Sequence, residues 1–350
     1  MKLRDDLGDL EGYHSPQVDV AVRLNTNESP YPPPDAWRDA LLDELRSLPF
    51  ERYPDRAALE LRRAIGELHG VGPGQVLAAN GSNEVIQALC LAFGGPGRSV
   101  AVFKPTYLMH SHIARITGTA VVEGERDGDF ALDMAEVERV VSGSSPAMTF
   151  LCSPNNPTGQ LEPPEAIDRV LSLGPGLVVV DEAYGQFSPR SAIEQVASGT
   201  PLVVVRTFSK TWSMAAARLG YLVGPAEIIA AVEAVLLPYH LDSMKQAAGR
   251  LALRYRSEME ARVATIVEER GRLASGLGEL AVDLWPSAAN FILFRPRATD
   301  GDKVWEELVE RSVLVRNCAS WPRLDGCLRV TVGTPAENDA FLSALREVLA

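Results

Sequence analysis

Four places in the chain put a chemically capable side chain directly after a short apolar run. "LVVVRTFSK" (202–210) leads through Thr207 and Ser209 to Lys210, and Arg218 follows eight residues on. "LVVVD" (177–181) delivers Asp181, with Tyr184 just beyond. "VLAAN" (76–80) runs into Gly81, Ser82 and Asn83, and "MTFLC" (148–152) runs into "SPNNPTG", where Asn156 lies between Pro154 and Pro157. A lysine seldom sits in an apolar segment without a partner, and a carboxylate at the end of a buried strand is costly unless something positive meets it. A glycine, a hydroxyl and the free N–H groups of a helix start make an anion cradle.

Those runs must be held side by side for their ends to cooperate. Together with "VAVF" (100–103) they are continuous, β-rich and separated by helical stretches, which fits strands covered on both faces of a mostly parallel α/β sheet. In such sheets ligands gather at the carboxyl ends of the strands, where these side chains fall. One ligand suits all four features at once: a phosphorylated, cationic heteroaromatic aldehyde that reacts with an amine. Pyridoxal 5′-phosphate (PLP) is that ligand. Its aldehyde condenses with a lysine, its ring nitrogen pairs with an aspartate, and its phosphate takes N–H, hydroxyl and arginine donors.

Ahead of the sheet, "SPYPPP" (29–34) is a stiff lead-in, with Asp35 capping a helix that carries Trp37, Leu41, Leu45 and Leu48. A second helix is expected from Asp55 to His69, stopping at Gly70. Residues 242–280 read as one long charged helix. Beyond it, "NFILF" (290–294), "VLVR" (313–316) and "LRVTVG" (328–333) alternate with helices near 302–311 and 336–349, the pattern of a small α+β unit. The expected division is an N-terminal arm (1–34) contributing to the small domain, a large PLP-binding domain (35–245) and a small C-terminal α+β domain (246–350).

Composition narrows the function. The 350 residues carry 23% charged side chains and a net charge of −12, with no block of Lys and Arg on which a nucleic acid would bind. No run of 18 apolar residues exists and the first twelve residues lack an apolar signal-peptide core, so a cytoplasmic protein with no membrane partner is expected. Cysteines 90, 152, 318 and 327 show no C-x-x-C spacing, and His110-Ser-His112 has no carboxylate at ligand spacing, so no metal site is expected.

Nearly the whole chain resembles the fold-type I PLP-dependent aminotransferases (class I/II). The resemblance runs in order through "RLNTNESPYPPP", "RYPD", "GSNE", "PTYLMH", "PNNPTG", "DEAY", "TFSK" with Arg218, "ANFILF" and "LRVTVGT". Its N-terminal motif and "RYPD" are most similar to the histidinol-phosphate aminotransferase branch. The resemblance implies a large, mostly parallel seven-stranded sheet domain with a smaller α+β domain. It implies that Lys210 carries the cofactor, that Asp181 holds the pyridine nitrogen, and that Tyr184 and Asn156 bond its phenolic oxygen. Tyr107 would stack on the ring, and Ser82, Asn83, Thr207, Ser209 and Arg218 would hold the phosphate. Tyr53 would reach the phosphate of a partner subunit's cofactor, making a homodimer. Tyr13, Arg316 and Arg329, with Asn156, would bind the substrate.

The implied reaction is transfer of an amino group from L-histidinol phosphate to 2-oxoglutarate in histidine biosynthesis. Aromatic amino acids as donors are an alternative, as is a lyase such as a threonine-phosphate decarboxylase on the same scaffold. A non-catalytic or nucleotide-binding α/β protein is a further alternative, though no Walker lysine loop is present. Three departures stand out: Asn83 where the branch often has Asp, which removes a negative charge near the phosphate, and "TWSMAAA" (211–217) and "PYHLD" (238–242), which bear on the pocket wall and so on the substrate.

Overall fold

A computed structural model describes residues 18–350 together with Arg4, Leu7 and Gly12. The strands are β1 (Val22–Leu24), β2 (Val76–Ala79), β3 (Ser99–Lys104), β4 (Ala120–Glu125), β5 (Met148–Cys152), β6 (Leu177–Asp181), β7 (Leu202–Thr207), β8 (Gly220–Val223), β9 (Val282–Leu284), β10 (Phe291–Pro296), β11 (Val313–Asn317) and β12 (Leu328–Thr331). Seven form a large sheet in the order β2-β8-β7-β6-β5-β3-β4, and five a smaller one in the order β1-β11-β12-β10-β9.

Every residue of β5, β6 and β7 is buried. Successive side chains go to opposite faces: Val178 and Val180 join the core that includes Ile65 and Phe208, while Val179 joins the core that includes Ile86 and Val100. Two apolar faces require helices on both sides, and that is why these segments are unbroken valine runs rather than alternating ones. Since β5, β6 and β7 are mutually parallel, Cys152 pairs with Asp181 and Asp181 with Val205, so three strand ends lie abreast.

The strand β8 is antiparallel to both β2 and β7. Its start, not its end, therefore lies at the functional edge. Gly220 is opposite Ala79 on one side and Thr207 on the other, which carries Arg218 to the ends of both neighbours. The five apolar runs picked out from the sequence did not include β8 or β4. The former is four residues long, and the latter, at the sheet edge, has only one buried residue.

In the smaller sheet β1 pairs parallel to β11 and the other pairings are antiparallel. Leu24, Phe291, Phe294, Val304, Val330 and Phe341 are in its core.

Three helical expectations need correction. Residues 242–280 are two helices, Ser243–Ala252 and Arg256–Gly278, separated by a 3₁₀ turn at Leu253–Tyr255. Ala248 and Ala252 of the first pack on the large-sheet core, whereas Ile266, Leu273 and Leu277 of the second pack on the small one; the turn redirects the chain between them. The expected domain boundary at 245/246 falls within the first of these helices. The second helix starts at Leu59 rather than Asp55, because Ala58 takes a left-handed φ of 45° while Asp55 accepts from the amides of Ala57 and Leu59. It does end at Gly70, whose φ is 69°. Asp35 is in the first turn of Asp35–Arg46, after Pro34, and makes no side-chain cap bond.

Candidate active site

Lys210 sits in the turn after β7, and its Nζ donates to the carbonyl of Thr26 at 3.1 Å. It lies 5.7 Å from the centre of the Tyr184 ring. Other described lysines, Lys104, Lys245 and Lys303, each meet a carboxylate. Around Lys210 the balance is reversed. Burial, then the charges of Arg329 and Arg218, opposed by Glu28, lower its pKa from 10.5 to about 8.

A lysine lowered in this way is cationic below about 8 and a free nucleophile above it. Cofactor uptake by the apo-protein is therefore expected to quicken about tenfold per pH unit below that point and level off above it. Stopped-flow absorbance would record this profile. A rate still climbing through pH ~9.5, as for an ordinary lysine, would contradict the lowered pKa.

Asp181 is 1% exposed. Its Oδ1 accepts from the backbone N–H of Ala183 at 3.0 Å, and its Oδ2 is 2.9 Å from His110 Nε2. The imidazole is stacked on Phe150, with ring centres 4.6 Å apart, and meets Tyr107 edge-on. With Nε2 carrying the proton, His110 donates to the carboxylate and fixes its direction. Tyr107 precedes the helix Leu108–Ile116, so one helical turn places His110 beneath it. In the sequence His110 stands out only as half of a His-x-His pair with no carboxylate at ligand spacing; its spacing from Tyr107 in "PTYLMH" is the available signal.

The anion cradle forms where β2, β7 and β8 meet. Gly81 has φ 84° and is followed by the helix Ser82–Phe93. Arg218 donates to Ser209 Oγ at 3.5 Å, and Thr207 Oγ1 to Ser209 Oγ at 3.0 Å. A Cβ on Gly220 would lie 2.4 Å from the Ser82 nitrogen, so the strand can approach the helix start only as glycine. Asn83 accepts from the Tyr107 hydroxyl at 3.1 Å. This donor set, with a glycine-floored approach, fits a phosphate group.

Across the cleft, Asn155 ties two loops together: it accepts from Thr106 and donates to the Pro105 carbonyl and Thr158. Its neighbour Asn156 accepts from Arg329 at 2.5 Å. Arg329 also donates to the Asn25 carbonyl and lies over the Phe291 ring. Tyr184 accepts from Asn27 at 2.9 Å, and burial pushes its pKa up to about 12. Asn27 has φ 55°, a conformation asparagine tolerates, and its neighbour Thr26 is the partner of Lys210. No role was given to Thr26 or Asn27 from sequence, although "RLNTNESP" contains both.

The cleft is thus lined by Ser82, Asn83, Tyr107, Asn156, Asp181, Tyr184, Thr207, Ser209, Lys210, Arg218 and Arg329, with Thr26, Asn27 and Trp321 added to the expected set. Arg316 is not among its lining residues; it borders a neighbouring cavity with Asp300, Asp302 and Asp325. Tyr53 is on the surface, 81% exposed and stacked on Tyr239. Tyr13 lies outside the described residues. The third cation of the Lys210 segment, Arg206, is buried in an ion pair with Glu182. Among the described residues no cluster could hold a metal ion, and no helix is long and apolar enough to cross a membrane.

This fold and family match together define a class: residues 19–345 match aminotransferase class I and II, and the chain belongs to that family. It is 44% identical to a histidinol-phosphate aminotransferase of Corynebacterium diphtheriae, over 99% of this chain and 96% of that protein. Its fold is similar to a histidinol-phosphate aminotransferase of Sinorhizobium meliloti solved with pyridoxal-5′-phosphate (TM-score 0.90, 22% identity, 99% and 97% of the two chains). It is also similar to an L-threonine-O-3-phosphate decarboxylase of Porphyromonas gingivalis (TM-score 0.81, 23% identity, 94% and 99%). The fold alone therefore does not choose between amino transfer and decarboxylation.

Proposed function

We propose that this chain transfers the amino group of L-histidinol phosphate to 2-oxoglutarate, with PLP held in the cleft described above. The observation that carries the reading is the convergence of Lys210, Asp181 and the Gly81–Ser82–Arg218 cradle on one cleft. Identity of 44% to a histidinol-phosphate aminotransferase supports the choice of amine. When bound, PLP supplies an aldehyde that condenses with amines and a protonated ring that accepts the electrons released at the substrate Cα.

The protein's share of the work follows from its own groups. Lys210 would hold the cofactor and, as a free amine, would be the base that takes the proton from the substrate Cα. A positioned base of this kind contributes about 10²–10⁴-fold. Asp181, oriented by His110 and the Ala183 N–H, would keep the ring nitrogen protonated. Asn156 and Tyr184 would serve the phenolic oxygen, Tyr107 the ring face, and Ser82, Asn83, Thr207, Ser209 and Arg218 the phosphate. Arg329 takes the anionic end of the substrate: phosphate in one half-reaction, carboxylate in the other.

Donor selectivity tests the reading. Assayed with 2-oxoglutarate, L-histidinol phosphate is expected to exceed L-phenylalanine and L-tyrosine in kcat/KM by about 10²-fold or more. Preference for phenylalanine would overturn it in favour of an aromatic aminotransferase. Carbon dioxide release without consumption of 2-oxoglutarate would make it a lyase.

A homodimer belongs to the same proposal. Stacked Tyr53 and Tyr239 form an exposed aromatic patch, and Phe50 and Leu237, close to them in the chain, are 70% and 77% exposed. Tyr53 would complete the partner's phosphate site. Sedimentation equilibrium should give twice the chain mass at micromolar concentration, and Tyr53→Ala should weaken cofactor binding about tenfold. A monomer with full cofactor affinity would contradict this.

A further inference from the structure

Tyr184 lines the cleft, and its ring packs edge-on against Phe291 with centres 5.0 Å apart. A phenol has one proton to give and can accept two bonds. At Tyr184 one acceptance is taken, because Asn27 Nδ2 donates to the hydroxyl at 2.9 Å. The direction of that bond depends on which way the Asn27 amide faces, and the neighbours of Asn27 set it.

Asn27 is 1% exposed. The Thr331 hydroxyl accepts from the Asn27 N–H at 3.0 Å, which leaves its own proton for Asn27 Oδ1, 3.1 Å away. Asn290 donates to the Asn27 carbonyl at 3.2 Å. With Oδ1 taking the Thr331 proton, Nδ2 is the atom left to face Tyr184. A reversed amide would turn two donors onto Thr331 and deprive its buried proton of this acceptor. Thr331 lies opposite Phe291 across β12 and β10. One register pair therefore delivers both the hydroxyl that orients Asn27 and the ring that packs on Tyr184. Burial holds the Tyr184 pKa at about 12, so the group is a neutral phenol whose proton is available to donate.

We infer that Asn27 is a positioning residue: by donating to the Tyr184 hydroxyl it leaves that hydroxyl's own proton to point into the cleft, toward the phenolic oxygen of bound PLP. The inference deepens the function proposed above and rests on its reading that Tyr184 serves that oxygen. A donor there stabilises the oxygen's negative charge most when no proton lies on the neighbouring Lys210 linkage, so it favours the unprotonated linkage. Turning the donor away raises the pH at which the linkage gives up its proton.

The PLP-loaded protein reports that midpoint through its visible absorption band, titrated without substrate. Tyr184→Phe should raise the midpoint by about one pH unit, the worth of one neutral hydrogen bond. Asn27→Asp keeps the shape and the Thr331 bond, but its carboxylate accepts the Tyr184 proton and draws it out of the cleft. It should raise the midpoint about as far. Asn27→Ala, which leaves the hydroxyl free to turn either way, should raise it less. Combined with Tyr184→Phe, Asn27→Asp should add less than about half of its effect in the parent, because its route is gone. An unmoved midpoint in Asn27→Asp would overturn the inference, as would a shift equally large with and without the tyrosine hydroxyl. If the aspartate variant does not fold, Asn27→Ala carries the same cycle, and a midpoint equal to the parent's overturns the inference. An unmoved midpoint in Tyr184→Phe would remove the role proposed for Tyr184 and the inference with it; a shift there with none at Asn27 overturns the inference alone.

Discussion

Replacing Lys210 with alanine is expected to lower kcat by more than about 10⁴-fold, since attachment of the cofactor and transfer of the Cα proton are lost together. The fold should not suffer. The Lys210 amine makes one hydrogen bond, to the Thr26 carbonyl, and burial already disfavours its charge. Removing it deletes a desolvated cation rather than a packed side chain, so the melting temperature should stay level or rise. The variant should still bind PLP through Asp181 and the Arg218 cradle, but without covalent linkage. An alanine variant within tenfold of the parent in kcat would show that another base does the work.

Asp181→Ala should have the next largest effect, about 10³-fold or more in kcat, because the ring nitrogen loses the buried charge that keeps it protonated. Here the fold is touched as well. His110 is fully buried and its Nε2 pairs with Asp181, so the alanine leaves a polar ring without its acceptor, at a cost of about 1–3 kcal/mol. Asp181→Asn separates the two effects. Its amide oxygen still accepts from His110, so stability should recover while activity does not. His110→Phe keeps the stack on Phe150 and the charge at 181 but frees the carboxylate to turn; a smaller loss, about tenfold or somewhat more, is expected. Equal activity in Asp181→Asn and the parent would remove the aspartate from the chemistry.

What could be read from the chain and what could not divide along physical lines. Asp181, Thr207 and Lys210 were legible because valine runs buried on both faces announce their own ends. His110 was not, because it acts through a contact between a helix and a strand more than seventy residues apart, and periodicity is blind to such pairs. Thr26 and Asn27 were hidden for the same reason: Lys210 meets a backbone carbonyl 184 residues away, which carries no residue-type signal. Arg316 and Arg329 look equivalent in the sequence as arginines on neighbouring strands, and only the fold shows that Arg329 lines the cleft while Arg316 borders a separate cavity. The single long helix expected over 242–280 failed because its apolar residues serve two separate cores, a fact the spacing does not contain.

The decisive measurement is chemical trapping. The protein would be incubated with PLP, reduced with borohydride and digested, and its peptides mapped by mass spectrometry. The chain has five lysines, at 2, 104, 210, 245 and 303, so the modified site is read without ambiguity. The cofactor should be found fixed on Lys210, with Asp181→Asn lowering the yield and Lys210→Ala abolishing it. Labelling spread over the other lysines, or undiminished in the alanine variant, would contradict the central claim.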